Sequence, residues 1–365
     1  MSAEVSTEFL VAQPLTGRLR TTLSDVLSDP LVSPGAAASA RQPNWRWIRG
    51  CLALAYALIL GAFVLNVGVP TERLSMFAWV LTGLSIACVG RGYRAVGGLV
   101  RDWLPFVGVL VLYDLTRGLA DTLGMPLHLT DLPVLDSLLF GGTLPTTWLQ
   151  DRFGQGSGWG ASGAADWWHV LVTAVYVSHF LVTPILAAVL WIRNRGRWIA
   201  FTSNVVGVAV LGVTTYILVP AAPPWYAAAE GVIPPVQRLS GLGWDVLGLH
   251  SAGSLFDQGQ AKVNLVAAIP SLHTAYAVLV FLFFWPVLNR LSRVLLAVYP
   301  LLMGLILVYS GEHYVVDVLL GWVCAGLVAL VIRQGTGIWK RRSQSAPARS
   351  GPLVEHGLVG DAPSG

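Results

Sequence analysis

Apolar residues run in windows near 47–68, 75–90, 102–120, 167–192, 198–219, 270–288, 294–309 and 313–332. Each approaches the roughly 20 residues that a helix needs to cross a bilayer. Between the windows, polar and charged residues gather in short loops. The pattern predicts an all-α fold, a polytopic membrane helix bundle of about eight transmembrane helices. Two stretches break the rhythm. Within 121–165, "DLPVLDSLLFGGTLPTTWLQ" is Leu-rich but interrupted by Gly and Pro and too short to span, so it reads as a re-entrant or interfacial helix pair. Within 220–265, "PAAPPW" leads into Gly-rich sequence with Trp225 and Trp244. Both stretches can cover a site as a lid, or form irregular surface loops with aromatic anchors.

Composition agrees with the pattern: 55% of residues are hydrophobic and 12% charged, against about 45–50% and about 25% in soluble domains. Loops on one side hold 18 of the 23 Lys and Arg residues, leaving Arg73, Arg117, Arg152, Arg238 and Lys262 for the other. The positive-inside rule then places both termini in the cytoplasm of a multi-pass cell-membrane protein. The net charge of +4 is topological. Its bases are scattered over short loops, which speaks against nucleic acid as a partner. The first 45 residues lack the apolar core of a cleavable signal, so the first helix is expected to act as its own anchor. Residues 334–365 are rich in Gly, Ser, Pro and Arg and are expected to be disordered. Cys51, Cys88 and Cys324 fall inside apolar windows, with no disulfide or metal spacing.

The chemistry concentrates on one side. Counting crossings, the helix begun at "IPSLH" runs inward, the next runs outward, and the "YSGEH" turn returns the chain to its starting depth. His273 and His313 then share one extracytoplasmic layer. Arg117, at the outer end of the window that opens with Arg101 and Asp102, reaches the same layer. His313 and Asp317 are four residues apart, a spacing that shares a helix face. The carboxylate can hold one ring nitrogen and leave the other as a nucleophile. His273 suits a general acid, and Arg117 a bidentate phosphate clamp. Pro270 fits a first helical turn whose N–H groups, with the Ser271 hydroxyl, bind an anion. Together these groups suit phosphoryl transfer.

"PSLH" followed by "GEHYVVD" resembles the second and third signature motifs of the type-2 phosphatidic acid phosphatase superfamily. "YDLTRG", "LLFGGTLPTTWLQ", "APPW" and "AAIPSLHTAY" are similar to its inositol phosphorylceramide synthase branch. The likeness covers roughly residues 100–332. It implies a nucleophilic, phosphohistidine-forming His313, a supporting Asp317, an acid His273, no metal and no cofactor. It also implies a six-helix catalytic core. The chain then divides into a 1–45 tail, two extra helices over 46–98, a lipid phosphatase or phosphotransferase-like membrane domain over 99–333, and a 334–365 tail. The substrate class implied is a membrane lipid phosphate or phospholipid. The phosphatase pattern has cations where this chain has Leu110 and Leu307. Their loss fits a less charged phosphate such as a phosphodiester, or compensation by Lys262.

Competing roles stay open at several positions. Arg117 can instead pair with Asp114, three residues earlier. Tyr113, Asp114 and His179 are further site candidates, although an isolated His such as His179 also serves as a packing residue. Glu312 reads as a solvated turn residue, and the Trp residues flanking the spans, Trp198 among them, as interface-belt residues. The leading function is a lipid-phosphate phosphatase or phosphotransferase, with an inositol-phosphate head-group transferase as the alternative within that class. A transporter is a second class, but its sites lie near the midplane. A metallohydrolase using His273, His313 and Asp317 is a third. Donor, acceptor and oligomeric state are not legible.

Overall fold

The computed structural model describes residues 43–70, 73–117, 125–154, 166–261 and 266–345. No strand occurs among them; helices account for nearly all regular structure. In chain order these are α1 (Trp45–Asn66), α2 (Arg73–Cys88), α3 (Tyr93–Arg117), α4 (Asp131–Leu139), α5 (Pro145–Phe153), α6 (Trp168–Arg193) and α7 (Arg195–Leu218). There follow α8 (Pro224–Ala229), α9 (Gly243–Val246), α10 (His250–Ala261), α11 (Leu272–Phe284), α12 (Arg290–Tyr309) and α13 (Val315–Ser345). Six helices, α1, α3, α6, α7, α12 and α13, are long and apolar enough to cross a membrane, and α2 and α11 are shorter apolar helices. The Leu-rich stretch before α6 folds as the two short helices α4 and α5, and the Gly-rich stretch before α11 contains α8, α9 and α10.

The short helix α11 lies at the centre, packed against α6, α7, α12 and α13, while α3 joins through α7. The outer pair α1 and α2 leans on α3 and α6. A helix hydrophobic on all sides gains its place from packing rather than from an amphipathic stripe. The buried side chains Phe201, Leu279, Leu272, Val205 and Ala325 therefore interlock between α7, α11 and α13. Leu54, Leu58, Leu295 and Leu305 point outward to where lipid would lie. Gly321 on α13 allows the closest approach: a Cβ there would stand 2.3 Å from the Ser271 carbonyl oxygen and 2.4 Å from Thr274 Oγ1.

One end of the bundle gathers its basic loops. Asp102 of α3 accepts from Trp191 Nε1 at 2.9 Å and pairs with Arg195, which ties α3 to the α6–α7 turn. At the same end Arg49 Nη1 donates to the Val89 carbonyl at 2.9 Å, and Arg197 lies over the Phe283 and Phe284 rings. Trp198 departs from the belt expected of it. It is buried against Trp103, ring centres 6.0 Å apart, because the α3–α7 contact encloses it.

Candidate active site

At the opposite end, the turn between α12 and α13 is sewn to the α4–α5 stretch and to the stretch that holds α8 and α9. Gly311 holds φ +76°, and a Cβ there would meet Val236 at 2.7 Å and the Gln237 carbonyl oxygen at 2.8 Å, so glycine is required by conformation and by space. Gln150 of α5 donates to the carbonyls of Gln237 and Tyr309, each at 2.8 Å, and its Oε1 accepts from Gln237 N at 2.9 Å. Backbone bonds from Leu239 N to the Ser310 carbonyl and from Trp225 N to the Gly311 carbonyl, both 3.1 Å, add the α8–α9 connection. The two long segments thus pack directly on the turn that presents His313.

His313 lies two residues before α13 begins, not on the helix, which corrects the local premise of the sequence reading. The pairing with Asp317 survives because Asp317, in the first turn, reaches back. Its Oδ2 accepts from Tyr314 N at 3.0 Å, in the manner of a capping box, and meets His313 Nδ1 at 3.4 Å. Asp317 is fully buried and His313 is 5% exposed. A proton on Nδ1 directed at the carboxylate leaves Nε2 with its lone pair.

His273 is the second residue of α11, and its ring centre lies 5.7 Å from that of His313. The two segments are locked together by main chain: Ser271 N donates to the Asp317 carbonyl at 3.0 Å, and Thr274 Oγ1 to the Val318 carbonyl at 3.3 Å. Pro270 stands before the cap rather than in the first turn, because Ser271 is the N-cap; its hydroxyl accepts from Thr274 N at 3.5 Å. Ser271 is fully buried. On its other side His273 stacks on α6, with ring centres 4.0 Å from His179 and 4.9 Å from Tyr176. The structure therefore brings His179 into contact with His273. Arg117 is the last residue of α3, the end remote from the Asp102–Arg195 pair. The side chains of Tyr113, Asp114 and Arg117 lie outside what is described, and Lys262 lies outside the described residues altogether. Leu110 and Leu307 are buried apolar residues of the packed clusters.

Two carboxylates unforeseen in these roles complete the site. Asp136 of α4 is fully buried, and its two oxygens accept from Val315 N and Val316 N at 2.9 Å each, satisfying N–H groups at the start of α13. Burial pushes its pKa up to about 6; the Val316 and Val315 N–H bonds oppose the rise, and nearby Asp317 adds to it. The available signal was an Asp four residues after Leu132, on the same helical face. Glu312 overturns its reading as a solvated residue: it is buried, and Arg238 grips it through Nε at 2.8 Å and Nη2 at 3.0 Å. Ser240 Oγ donates to the same carboxylate at 2.6 Å, and Gln260 Nε2 at 3.2 Å. These partners are what allow a carboxylate to be buried there. No local pattern signals a pair 74 residues apart. Among the described residues, no group of three or more His, Cys, Asp or Glu is placed to hold a metal ion.

An imidazole backed by a buried carboxylate, with a second imidazole nearby on a separate segment, can support nucleophilic attack with protonation of a leaving group. Residues 161–331 match the family model of the PAP2 superfamily. Over 151 residues the chain is 31% identical to a phosphoinositol dihydroceramide synthase of Bacteroides thetaiotaomicron, covering 39% of this chain and 48% of that protein. The chain thus spans about half the length of that relative. No solved structure matches. Residues 161–331 of this multi-helix membrane protein carry the PAP2 superfamily match, and the chain resembles the inositol phosphorylceramide synthase-like branch.

Proposed function

We propose that this chain is a membrane lipid phosphotransferase that moves a phosphate-linked head group through a phosphohistidine on His313, at the extracytoplasmic face. The observation that carries the reading is the approach of two imidazoles on separate segments, ring centres 5.7 Å apart, with Asp317 buried behind one of them. In the first step His313 Nε2 attacks phosphorus, an N–P bond forms and the P–O bond to the donor lipid breaks. His273 delivers its proton to the departing alkoxide. Asp317 holds the ring and stabilises the imidazolium that develops. In the second step the acceptor hydroxyl gives its proton to His273 and attacks phosphorus, and the N–P bond breaks. The backbone N–H groups at the start of α11 and Arg117 are the groups proposed to take the phosphate charge. No step calls on a metal ion.

Transfer is favoured over hydrolysis by the roof of outer segments on the catalytic turn, which limits water at a nearly buried His313. The relative's name, which speaks of a phosphoinositol group and a dihydroceramide, agrees with a lipid alcohol as acceptor. The deciding experiment places the purified protein in vesicles with phosphoinositol lipids and long-chain lipid alcohols in oxygen-18 water, with products read by mass spectrometry. A new phosphoinositol lipid free of label is expected. Labelled phosphoinositol without a new lipid would make the enzyme a hydrolase. Neither product from intact protein would sink the enzymatic reading.

A further inference from the structure

We infer that Arg238 is a phosphate-binding residue of this site, held in place by Glu312 as its positioning residue; the inference rests on the phosphotransferase reading above. Arg238 lies in the connection between α8 and α9, far in sequence from either histidine, yet its neighbours are theirs. Its Nε and Nη2 grip Glu312, the residue immediately before His313. The guanidinium also interacts electrostatically with Tyr176, whose ring packs 4.9 Å from that of His273. Arg238 therefore reaches the segment bearing the nucleophile and the ring stacked on the acid.

A guanidinium has five N–H donors and two edges suited to paired oxygens. The Nε–Nη2 edge is taken by Glu312, so the Nη1–Nη2 edge is turned away from that carboxylate. Its freedom to turn away is limited by Trp225, whose ring centre lies 4.7 Å from Cζ. Glu312 is itself fixed by Ser240 and Gln260. The side chain of Arg238 keeps 21% of its surface open while that of Glu312 keeps 6%. The cation thus faces the accessible side of the pair and the carboxylate the closed side. A bond network serving only to pin the loop would gain little from leaving the cation partly open. A phosphate that carries one negative charge would gain a rigid donor whose own charge is partly balanced by Glu312, so that release after transfer is not blocked.

The test measures binding of orthovanadate, an oxyanion of phosphate shape, to full-length purified protein by calorimetry, beside thermal unfolding. R238Q is expected to weaken vanadate binding tenfold or more. R238K, which keeps the charge but not the fork, should lie between R238Q and the unmodified protein. E312Q removes the opposing charge and keeps hydrogen-bonding capacity, so its vanadate affinity should stay within threefold or rise. If the pair is a structural latch, R238Q and E312Q will lower the unfolding temperature alike and leave vanadate affinity unchanged, or weaken it equally; either result overturns the inference. Should R238Q fail to fold, the contrast between R238K and E312Q decides on the same criteria. An unmodified protein that binds no vanadate would refute the phosphotransferase reading itself, whereas binding that survives R238Q refutes only the role of Arg238.

Discussion

Replacing Asp136 by Ala tests whether a carboxylate on a short outer helix holds the catalytic turn. The substitution removes both acceptors of Val315 N and Val316 N, each now bonded at 2.9 Å. Hydrogen bonds to a charged acceptor contribute roughly 1.5–3 kcal/mol each, and the desolvation that raises the Asp136 pKa offsets part of the sum. A net loss of about 2–4 kcal/mol is expected for Asp136→Ala. Asp136→Asn keeps one acceptor and turns an N–H toward an N–H, so about half that loss is expected. His313 lies two residues upstream of Val315, and a shift of about 1 Å in a reacting group costs on the order of 10²-fold in rate. Turnover should therefore fall further than stability alone explains. The pH dependence carries a sign. Because the folded-state pKa is raised from 3.8 to about 6, the stabilisation from this shift is complete below about pH 3.8 and is lost as pH rises through about 6. The stability advantage of the unmodified protein over Asp136→Asn should then narrow between about pH 4 and about pH 7. Thermal unfolding and turnover in detergent, with both variants, supply the readout. Asp136→Ala that unfolds at the unmodified temperature and turns over at the unmodified rate would refute the anchoring argument.

His313→Ala and His273→Ala should each abolish turnover of a lipid phosphate in folded protein, with the double variant no worse, since the two act as a unit; near-normal activity in either would remove it from the mechanism. Asp317→Asn should retain measurable activity, because orientation is lost but the nucleophile remains. Gly321→Ala forces a Cβ to within 2.3 Å of the Ser271 carbonyl and should cost about 1–3 kcal/mol, whereas Gly326→Ala on the same helix, with nothing within 4 Å, should be neutral; equal unfolding temperatures would show that α11 and α13 are not in this contact. With Cys51, Cys88 and Cys324 replaced, a cysteine at the exposed Glu230 should react with an impermeant thiol reagent from outside intact cells, and labelling only after lysis would invert the topology. Gly311 is unsuited to that experiment, since the close neighbours and positive φ leave no room for a side chain there.

Hydrophobic length is a local property, so the helices and the interruptions that became α4 and α5 were legible directly from the chain. The same holds for His313 and Asp317, because four residues of separation restrict where two side chains can go even when the first lies in a turn. His273 and His313 could be placed at one depth by counting crossings, since a bilayer turns chain length into position. That count says nothing of rotation about a helix axis. The stacking of His179 on His273, the enclosure of Trp198 and the burial of Glu312 all depend on which helix face meets which neighbour. Asp136 and Val315 are 179 residues apart, and Arg238 and Glu312 are 74 apart. Each pair consists of groups whose burial is costly alone and tolerable only together. A carboxylate in a Leu-rich segment and a single Arg in a Gly-rich loop look unremarkable in sequence, because the partner that makes each burial possible arrives only when the bundle closes.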